Sequence, residues 1–125
     1  MKRNFTELSN RVIGCAIEVH KELGPGLLES TYEHCLAHEF KLAEIKFKLQ
    51  YPLPVEYKGV RLDCGYRIDM LVEDEIILEL KSVEELKGIH EAQLLTYMKL
   101  ANIKQGFLIN FNVNLLKDGL KSFVL

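Results

Sequence analysis

The stretch YRIDMLVEDEIILELKSV, residues 66–83, decides the fold, because its composition and spacing predict two β-strands joined by a short hairpin. The second strand contains ILELKSV, Ile77–Val83, which suits a buried strand except for Glu79 and Lys81. Side chains alternate along a strand, so these two charged residues share one face of the sheet. Burying an unpaired carboxylate costs several kcal/mol, so Glu79 needs a partner, a cation or water. A structural ion pair with Lys81 is one explanation.

A second acid, Asp69, lies on the neighbouring predicted strand. With Glu73–Glu75 as the hairpin loop, Val72 pairs with Ile76. That register places Asp69 opposite Glu79 on the same face, where two carboxylates repel each other unless a positive charge lies between them. A divalent cation would supply that charge, since Mg²⁺ prefers oxygen ligands and commonly binds one or two carboxylates together with waters and phosphate oxygens. The hairpin therefore predicts a site for Mg²⁺ or Mn²⁺.

The composition limits the classes of protein that fit the chain. With 125 residues and 48% hydrophobic content, the sequence predicts one domain, residues 1–125. The formal charge of −2 gives no general basic surface, so any nucleic-acid role must rest on a local site. No apolar run approaches the roughly 20 residues that span a bilayer, and MKRNFTELSN lacks a signal-peptide core, which predicts a cytoplasmic protein without a membrane segment. Three cysteines without a CxxC pair fit neither a disulfide framework nor a zinc ribbon.

Two helices are predicted before the strands. Over Thr6–Leu23 apolar residues recur at steps of three and four, and a Gly-Pro-Gly sequence ends this helix. A second helix is predicted over Leu28–Ala43, with Glu29 at the edge of its apolar arc, so Glu29 should border the core rather than face open water. The same helical wheel puts His34 and His38 on the opposite, exposed face, which argues against a zinc site there.

The rest of the chain predicts strands on both sides of a third helix. Residues 47–83 predict three strands joined by hairpins, and Pro52 and Pro54 place the first at a sheet edge or a bulge, since proline cannot donate a ladder hydrogen bond. Residues 84–104 return to helical spacing, and the segments GFLINF and LLKDGLKSFVL that follow predict a strand and a final hairpin. The predicted order is α-α-β-β-β-α-β-β, which belongs to the α/β class.

Three short motifs occur in this order along the chain. The first is GLLESTY, Gly26–Tyr32, which matches GxxExxY. The second consists of Asp69 and Glu79-x-Lys81 on adjacent predicted strands. The third is QLLTY, Gln93–Tyr97, which matches QxxxY on the next helix. With these motifs the chain resembles the PD-(D/E)XK nuclease superfamily and, within it, the small bacterial and archaeal GxxExxY proteins. One departure is the isoleucine before Asp69, where the superfamily name has a proline. The resemblance implies a restriction-endonuclease-like core, in which helices flank a mixed central sheet.

The resemblance also implies the residues of a metal site. Asp69, Glu79 and the backbone carbonyl of Leu80 would hold Mg²⁺ or Mn²⁺, and Glu29 would add a further acid, directly or through a water. Lys81 would orient or deprotonate the attacking water and stabilise charge in the transition state.

The resemblance gives the QxxxY motif a supporting role. Gln93 and Tyr97, at positions i and i+4 on one helix face, would position a phosphate or Lys81. Tyr97 has an alternative explanation as a core aromatic, because apolar residues at helical spacing usually pack.

Three functions are compatible with these features. The first is a metal-dependent nuclease that hydrolyses phosphodiester bonds, with DNA favoured over RNA. The second is a nucleic-acid-binding or accessory module that keeps the nuclease fold with low or no activity. The third is a ligand-binding protein that serves transport, which the missing signal peptide disfavours. The oligomeric state stays open, and a homo-oligomer is compatible with the sequence.

Overall fold

The computed structural model describes residues 6–125. Residues 1–5, the first half of the segment whose polarity argues against a signal peptide, lie outside this range. Helix α1, Glu7–Leu23, and helix α2, Glu29–Leu42, pack on one face of a five-stranded sheet. Helix α3, Gly88–Ala101, packs on the other face. No helix among the described residues has the length and apolar character needed to cross a membrane.

The strands form one large and one small sheet. They are β1 Phe47–Pro52, β2 Val55–Tyr57, β3 Val60–Leu62, β4 Arg67–Val72, β5 Ile76–Lys81, β6 Gln105–Asn110 and β7 Leu120–Val124, with a 3-10 helix at Leu116–Gly119. The large sheet has the order β1-β4-β5-β6-β7, in which β5 and β6 are parallel and the other neighbours are antiparallel. For this mixed sheet the predicted α/β class and the order α-α-β-β-β-α-β-β are confirmed.

Strands β2 and β3 are an addition to the predicted pattern, which had three strands between residues 47 and 83. They follow β1 and precede β4 along the chain and form a separate two-stranded sheet. The chain leaves the large sheet at Pro52, whose nitrogen has no proton for a ladder hydrogen bond. Lys58 and Gly59, with φ of 49° and 80°, then form the tight turn between the two short strands. The prediction that the first strand lies at a sheet edge is confirmed.

The third helix begins later than its spacing predicts. Helical spacing starts at residue 84, whereas α3 starts at Gly88. The reason lies in Val83, whose backbone N–H and carbonyl are both hydrogen-bonded to the side chain of Asn110, at 3.1 Å and 2.9 Å. These bonds hold Val83 against the end of β6, and the chain then bends at Glu84 and Glu85 before the helix begins.

The core lies on both faces of the central strands. Leu78 and Leu80 of β5 pack in the cluster that includes α1 and α2, whereas Ile77 packs in the cluster that includes α3. Because side chains alternate along β5, Glu79 and Lys81 share the α3 face with Ile77. The start of β4 and the ends of β5 and β6 lie at the same end of the sheet, which brings the chemically active residues of these strands together.

Candidate active site

The hairpin between β4 and β5 sets the geometry of the site. Val72 pairs with Ile76 across the turn Glu73–Glu75, as predicted, and the ladder ends at the pair Met70 and Leu78. Two turn residues, Glu73 and Asp74, have φ of 51° and 55°, so a left-handed backbone closes the turn. An odd number of turn residues keeps the predicted parity of the two strands.

Beyond the last backbone pair, the two strands are joined by the carboxylates of Asp69 and Glu79. The backbone N–H of Asp69 donates to Oε2 of Glu79 at 2.9 Å, and the backbone N–H of Leu80 donates to Oδ2 of Asp69 at 2.9 Å. Each acid is therefore held by the backbone of the opposite strand. The prediction that the two acids are cross-strand neighbours is confirmed.

Burial and proximity change the acidity of both groups. Glu79 is only 5% exposed. Burial, and then repulsion by the Asp69 carboxylate, raises the pKa of Glu79 to about 8. Burial also raises the pKa of Asp69, although the N–H of Leu80 favours its ionised form. The pair therefore retains a proton near neutral pH, and a bound cation would replace that proton.

Lys81 lies beside the acids without forming an ion pair with them. Its positive charge lowers the pKa of both Asp69 and Glu79 against the larger effect of burial. The ion pairs among residues 6–125 are Lys48 with Asp74 and Lys121 with Glu91, so a direct Glu79 and Lys81 ion pair is not observed. The explanation of Glu79 and Lys81 as a structural ion pair is therefore not supported by a direct contact between them.

Glu29 reaches the same end of the sheet from the first turn of α2. Its Oε2 accepts a hydrogen bond from the backbone N–H of Ser82 at 3.3 Å, directly after Lys81. Its charge also contributes to the raised pKa of Glu79. Glu29 is nevertheless exposed, so the prediction that it borders the core is wrong. The reason is that the first turn of α2 lies beside the end of β5, where the Glu29 carboxylate meets the backbone of Ser82 instead of the core.

Tyr32, the last residue of the GxxExxY motif, fixes the loop before Glu29. The Tyr32 hydroxyl donates to the carbonyl of Gly24 at 2.6 Å and accepts from the N–H of Leu27 at 3.2 Å. The Tyr32 ring is fully buried and stacks on Phe111, with ring centroids 4.4 Å apart. The carbonyl of Leu27 in turn accepts from Ser82 Oγ at 2.6 Å. The motif thus joins the start of α2 to the end of β5.

The QxxxY motif lies on the other side of the acids, in α3. Gln93 Nε2 donates to the Tyr97 hydroxyl at 2.9 Å. Tyr97 is buried in the α3 cluster, and burial raises its pKa, with smaller contributions from Glu79, Tyr66 and Asp69. Tyr97 is therefore a core aromatic that also lies near the acids, so the two explanations of this residue are compatible. The role of the motif in positioning a phosphate or Lys81 stays a prediction.

Gln50 and Glu33 belong to the site although the sequence did not indicate them. Gln50 lies between the residues of β1 that pair with β4, which puts it opposite Asp69, and its side chain favours the ionised form of Asp69 and lowers its pKa against the larger effect of burial. Gln50 also donates to Glu33 Oε1 at 2.7 Å, and the Glu33 charge contributes to the raised pKa of Asp69. Glu33 lies one helical turn after Glu29, which is the signal that could have identified it. Gln50 has φ of 48°, a conformation that no local motif predicted.

Asn110 is a further residue near the site that no sequence motif indicated. It is 2% exposed, and its side chain holds both backbone groups of Val83 and accepts from the N–H of Asn112. A polar residue inside the apolar strand GFLINF was the available signal. Asn110 therefore restrains the segment that follows Lys81 and carries Ser82.

The donor set fits a hard cation that completes its coordination with water and substrate. No group of three or more His, Cys, Asp and Glu side chains between residues 6 and 125 is arranged as a full set of metal ligands. Asp69 and Glu79 nevertheless offer two adjacent carboxylates whose repulsion a cation would relieve, and Mg²⁺ needs only one or two carboxylates when waters and phosphate oxygens complete its shell. His34 and His38 are exposed, as predicted.

Comparison with known proteins assigns the chain to a family of enzymes. A family model described as the PD-(D/E)XK nuclease superfamily matches residues 6–123. No curated protein and no solved structure gives a significant match to the chain. The match includes both acids, Lys81, and the helices that carry the other two motifs.

Proposed function

The chain belongs to the PD-(D/E)XK nuclease superfamily, and on this premise we propose that residues 1–125 form a single divalent-metal-dependent nuclease domain of the GxxExxY type. The domain cleaves phosphodiester bonds in DNA rather than RNA and works in the cytoplasm. Nucleases of this superfamily generally use divalent metals. The observation that carries the proposal is the Asp69 and Glu79 pair, two acids at the end of the central strands whose pKa values are both raised.

In this proposal Asp69, Glu79 and the backbone carbonyl of Leu80 hold Mg²⁺ or Mn²⁺. When bound, the ion supplies positive charge that polarises the scissile phosphate and lowers the pKa of the attacking water. The two acids need little rearrangement to bind it, because the amides of the opposite strands already hold their carboxylates in place. Because the carboxylates are already ordered, the reaction does not lose free energy to ordering them.

Lys81 acts on the attacking water and on the phosphate. It is half-buried on the same face as Glu79, and its ammonium takes part in neither ion pair of the described residues. A lysine in this position orients or deprotonates the attacking water and stabilises the negative charge that develops in the transition state.

Three other residues support the reaction from α2 and α3. Glu29 adds a further acid, directly or through a water, and its hydrogen bond to Ser82 keeps it at the end of β5. Gln93 and Tyr97 are hydrogen-bonded to each other and position a phosphate or Lys81 from the α3 face.

A specific observation favours a second candidate, an accessory module that binds nucleic acid with low or no activity. Both acids accept hydrogen bonds from the backbone, and the pair retains a proton near neutral pH. A metal ion must displace that proton, which weakens metal binding at neutral pH.

A metal titration combined with a cleavage assay tests the proposal. Wild-type protein should bind Mg²⁺ or Mn²⁺ by calorimetry and should cut labelled DNA when either ion is present, but not in EDTA. Parallel substrates of the same sequence in DNA and RNA, single-stranded and duplex, test the preference for DNA. Protein that binds neither ion and cuts none of these substrates would contradict the nuclease proposal and favour the accessory module.

A further inference from the structure

The exposed tyrosines are concentrated on one segment of the chain. Tyr51, Tyr57 and Tyr66 are 37%, 59% and 45% exposed, whereas Tyr32 and Tyr97 are buried. The three exposed rings lie on what we call the arm, residues 46–67, which comprises β1, the β2–β3 hairpin and the connection to β4. Clustered exposed aromatic groups on a soluble domain commonly mark a binding surface.

The arm is also the basic part of an acidic chain. Its charged residues are Lys46, Lys48, Lys58, Arg61 and Arg67 against Glu56 and Asp63, a net charge of +3 in a chain whose formal charge is −2. Two of the cations lie over tyrosine rings. Lys58 Nζ is 5.4 Å from the centroid of the Tyr57 ring, and Lys48, which also pairs with Asp74, is 5.1 Å from that of Tyr51. Positive charge interleaved with aromatic rings complements a phosphate backbone that carries bases.

A groove between β1 and the β2–β3 hairpin gives this surface a site of suitable size. Tyr51, Pro52, Pro54, Arg61 and Asp63 line a cavity of about 350 Å³. A volume of this kind lies within the range of ~300–1,000 Å³ found for small-molecule sites. The aromatic ring and the guanidinium that line this cavity can receive a base by stacking and a phosphate by hydrogen bonds.

The arm is continuous with the candidate active site. Gln50, which lies opposite Asp69 where β1 pairs with β4, is the residue before Tyr51. At the other end of the arm, the Tyr66 ring packs edge-on against Tyr97, with centroids 6.0 Å apart. A hydrogen bond of 2.9 Å from the N–H of Leu53 to the carbonyl of Tyr66 ties these two ends together. A strand bound along the arm therefore leads to the acids.

We propose that the arm binds single-stranded nucleic acid, stacks its unpaired bases on Tyr51, Tyr57 and Tyr66, and guides its backbone to Asp69 and Glu79. The inference rests on the proposed function and names its substrate class, a single strand or an unpaired end of a duplex. The bases of an intact duplex are stacked on both faces and cannot also stack on protein rings, so exposed tyrosines contribute to binding only where bases are unpaired.

Binding in EDTA tests the inference without cleavage. Fluorescence anisotropy would compare a labelled oligothymidylate with its duplex and with the matching oligouridylate. The expected result is tighter binding of the single strands than of the duplex, with the deoxy strand the tighter of the two. Tyr51→Ala and Tyr66→Ala should each weaken single-strand binding by about 10-fold, within the range that a stacked base contributes.

Conservative and remote variants serve as controls. Tyr51→Phe and Tyr66→Phe keep the ring and should bind as wild type, and thermal unfolding would verify that every variant is folded. Arg61→Ala should make the dependence of log affinity on log salt shallower by about 0.7, the value for one phosphate contact to a single strand. Lys117→Ala, an exposed lysine of the 3-10 helix, should leave that slope unchanged.

The experiments distinguish an error in the proposed binding role of the arm from an error in the proposed nuclease activity. Tyrosine-to-alanine variants that are folded and bind single strands like wild type would overturn the inference, as would tighter binding of the duplex. If such variants also cleave DNA normally, the nuclease proposal stands without the arm. Tyrosine-dependent binding of either single strand supports the arm, even if no cleavage occurs with Mg²⁺ or Mn²⁺.

Discussion

Glu79 is an almost fully buried acid, and a second acid, Asp69, lies directly across the hairpin from it. Burial and this neighbour raise the pKa of Glu79 from its ordinary value of 4.5 to about 8. Between these two values the folded protein keeps a proton that the unfolded chain has released. The contribution of Glu79 to stability is therefore fully present below about pH 4.5 and is lost as the pH rises through about 8.

The first prediction follows from this loss of stability with rising pH. In EDTA, the free energy of unfolding of wild-type protein relative to Glu79→Gln should fall between pH 5 and pH 8, by at most about 1.4 kcal/mol per pH unit. Denaturant unfolding at a series of pH values measures this difference, and the glutamine variant removes the contributions of groups that do not interact with Glu79. A difference that stays constant or rises with pH would mean that Glu79 is ionised in the folded protein.

The second prediction separates the roles of Lys81 and Glu79. Lys81→Met should keep or strengthen Mg²⁺ and Mn²⁺ binding, because it removes a competing positive charge, while cleavage falls by ~10²–10⁴-fold, the usual contribution of a positioned acid or base. Glu79→Gln should weaken metal binding and cleavage together. Calorimetry and cleavage assays on the same preparations provide both measurements.

The control for the lysine is Lys117→Met, an exposed lysine of the 3-10 helix, which should change neither quantity. Equal cleavage by wild-type protein and Lys81→Met would remove Lys81 from the mechanism. Loss of metal binding in Lys81→Met would instead indicate that the lysine maintains the metal site.

At the scale of elements, the end of β5 depends on β6. Beyond the last ladder pair, the side-chain amide of Asn110 takes the place of a backbone partner, because it hydrogen-bonds to the N–H and the carbonyl of Val83. This restraint holds Ser82, whose backbone N–H binds Glu29 and whose hydroxyl binds Leu27. The geometry of Glu29 relative to β5 is therefore set by a side chain from a strand that carries none of the predicted site residues.

The third prediction tests this restraint. Asn110→Leu removes the acceptor of the Val83 N–H and one of the two donors to the Val83 carbonyl, which also accepts from Asn112 Nδ2 at 3.3 Å, so the free energy of unfolding should fall by ~1–3 kcal/mol. Hydrogen exchange at the Ser82 and Val83 amides should also accelerate. Asn114→Leu, at an exposed asparagine, is the matched control and should change stability by less than about 0.5 kcal/mol. Unchanged exchange at residues 82 and 83 in Asn110→Leu would contradict the role of Asn110.

The fourth prediction concerns the 3-10 helix that packs on the end of β6. A Cβ at Gly119 would overlap the backbone carbonyl of Asn110, which cannot move without disturbing β6. Gly119→Ala should therefore lower the free energy of unfolding by ~1–3 kcal/mol. Gly14→Ala in α1 is the control, because a Cβ there meets no atom within 4 Å, and it should raise stability by roughly 0.5–1 kcal/mol. Chemical unfolding of both variants measures the contrast.

On the scale of the whole molecule, the proposed metal site connects elements from both faces of the sheet. The acids lie on β4 and β5, Glu29 comes from α2 on one face, and Gln93 and Tyr97 come from α3 on the other. A ligand that binds such a site only in the folded state must stabilise the entire domain.

The fifth prediction is that Mg²⁺ or Mn²⁺ stabilises the folded protein. At an ion concentration of about 100 times the Kd, the free energy of unfolding should rise by about 2.7 kcal/mol. At one fixed ion concentration, the increase should be larger at pH 8 than at pH 6, because the ion competes with the proton that Glu79 retains and so binds more tightly at the higher pH. Thermal unfolding with and without the ion measures the effect, and Glu79→Gln should show much less of it. Equal stabilisation of both proteins would place the ion elsewhere.

The helices and the central hairpin could be predicted because their causes are local. Apolar spacing of three and four residues produces α1 and α2, and the three residues of the turn Glu73–Glu75 set the parity that puts Asp69 opposite Glu79. These effects depend on residues that are close together along the chain.

Other features depend on contacts between distant segments. Gln50 meets Asp69 only because β1 pairs with β4 in one register, and Asn110 meets Val83 only because β6 lies parallel to β5. The exposure of Glu29 follows from where α2 starts relative to β5. Local propensities specify elements and the parity within a hairpin, whereas the register between distant strands is selected by how both faces of the sheet pack at once. That collective packing places Gln50 and Asn110 at the site and leaves the arm exposed beside it.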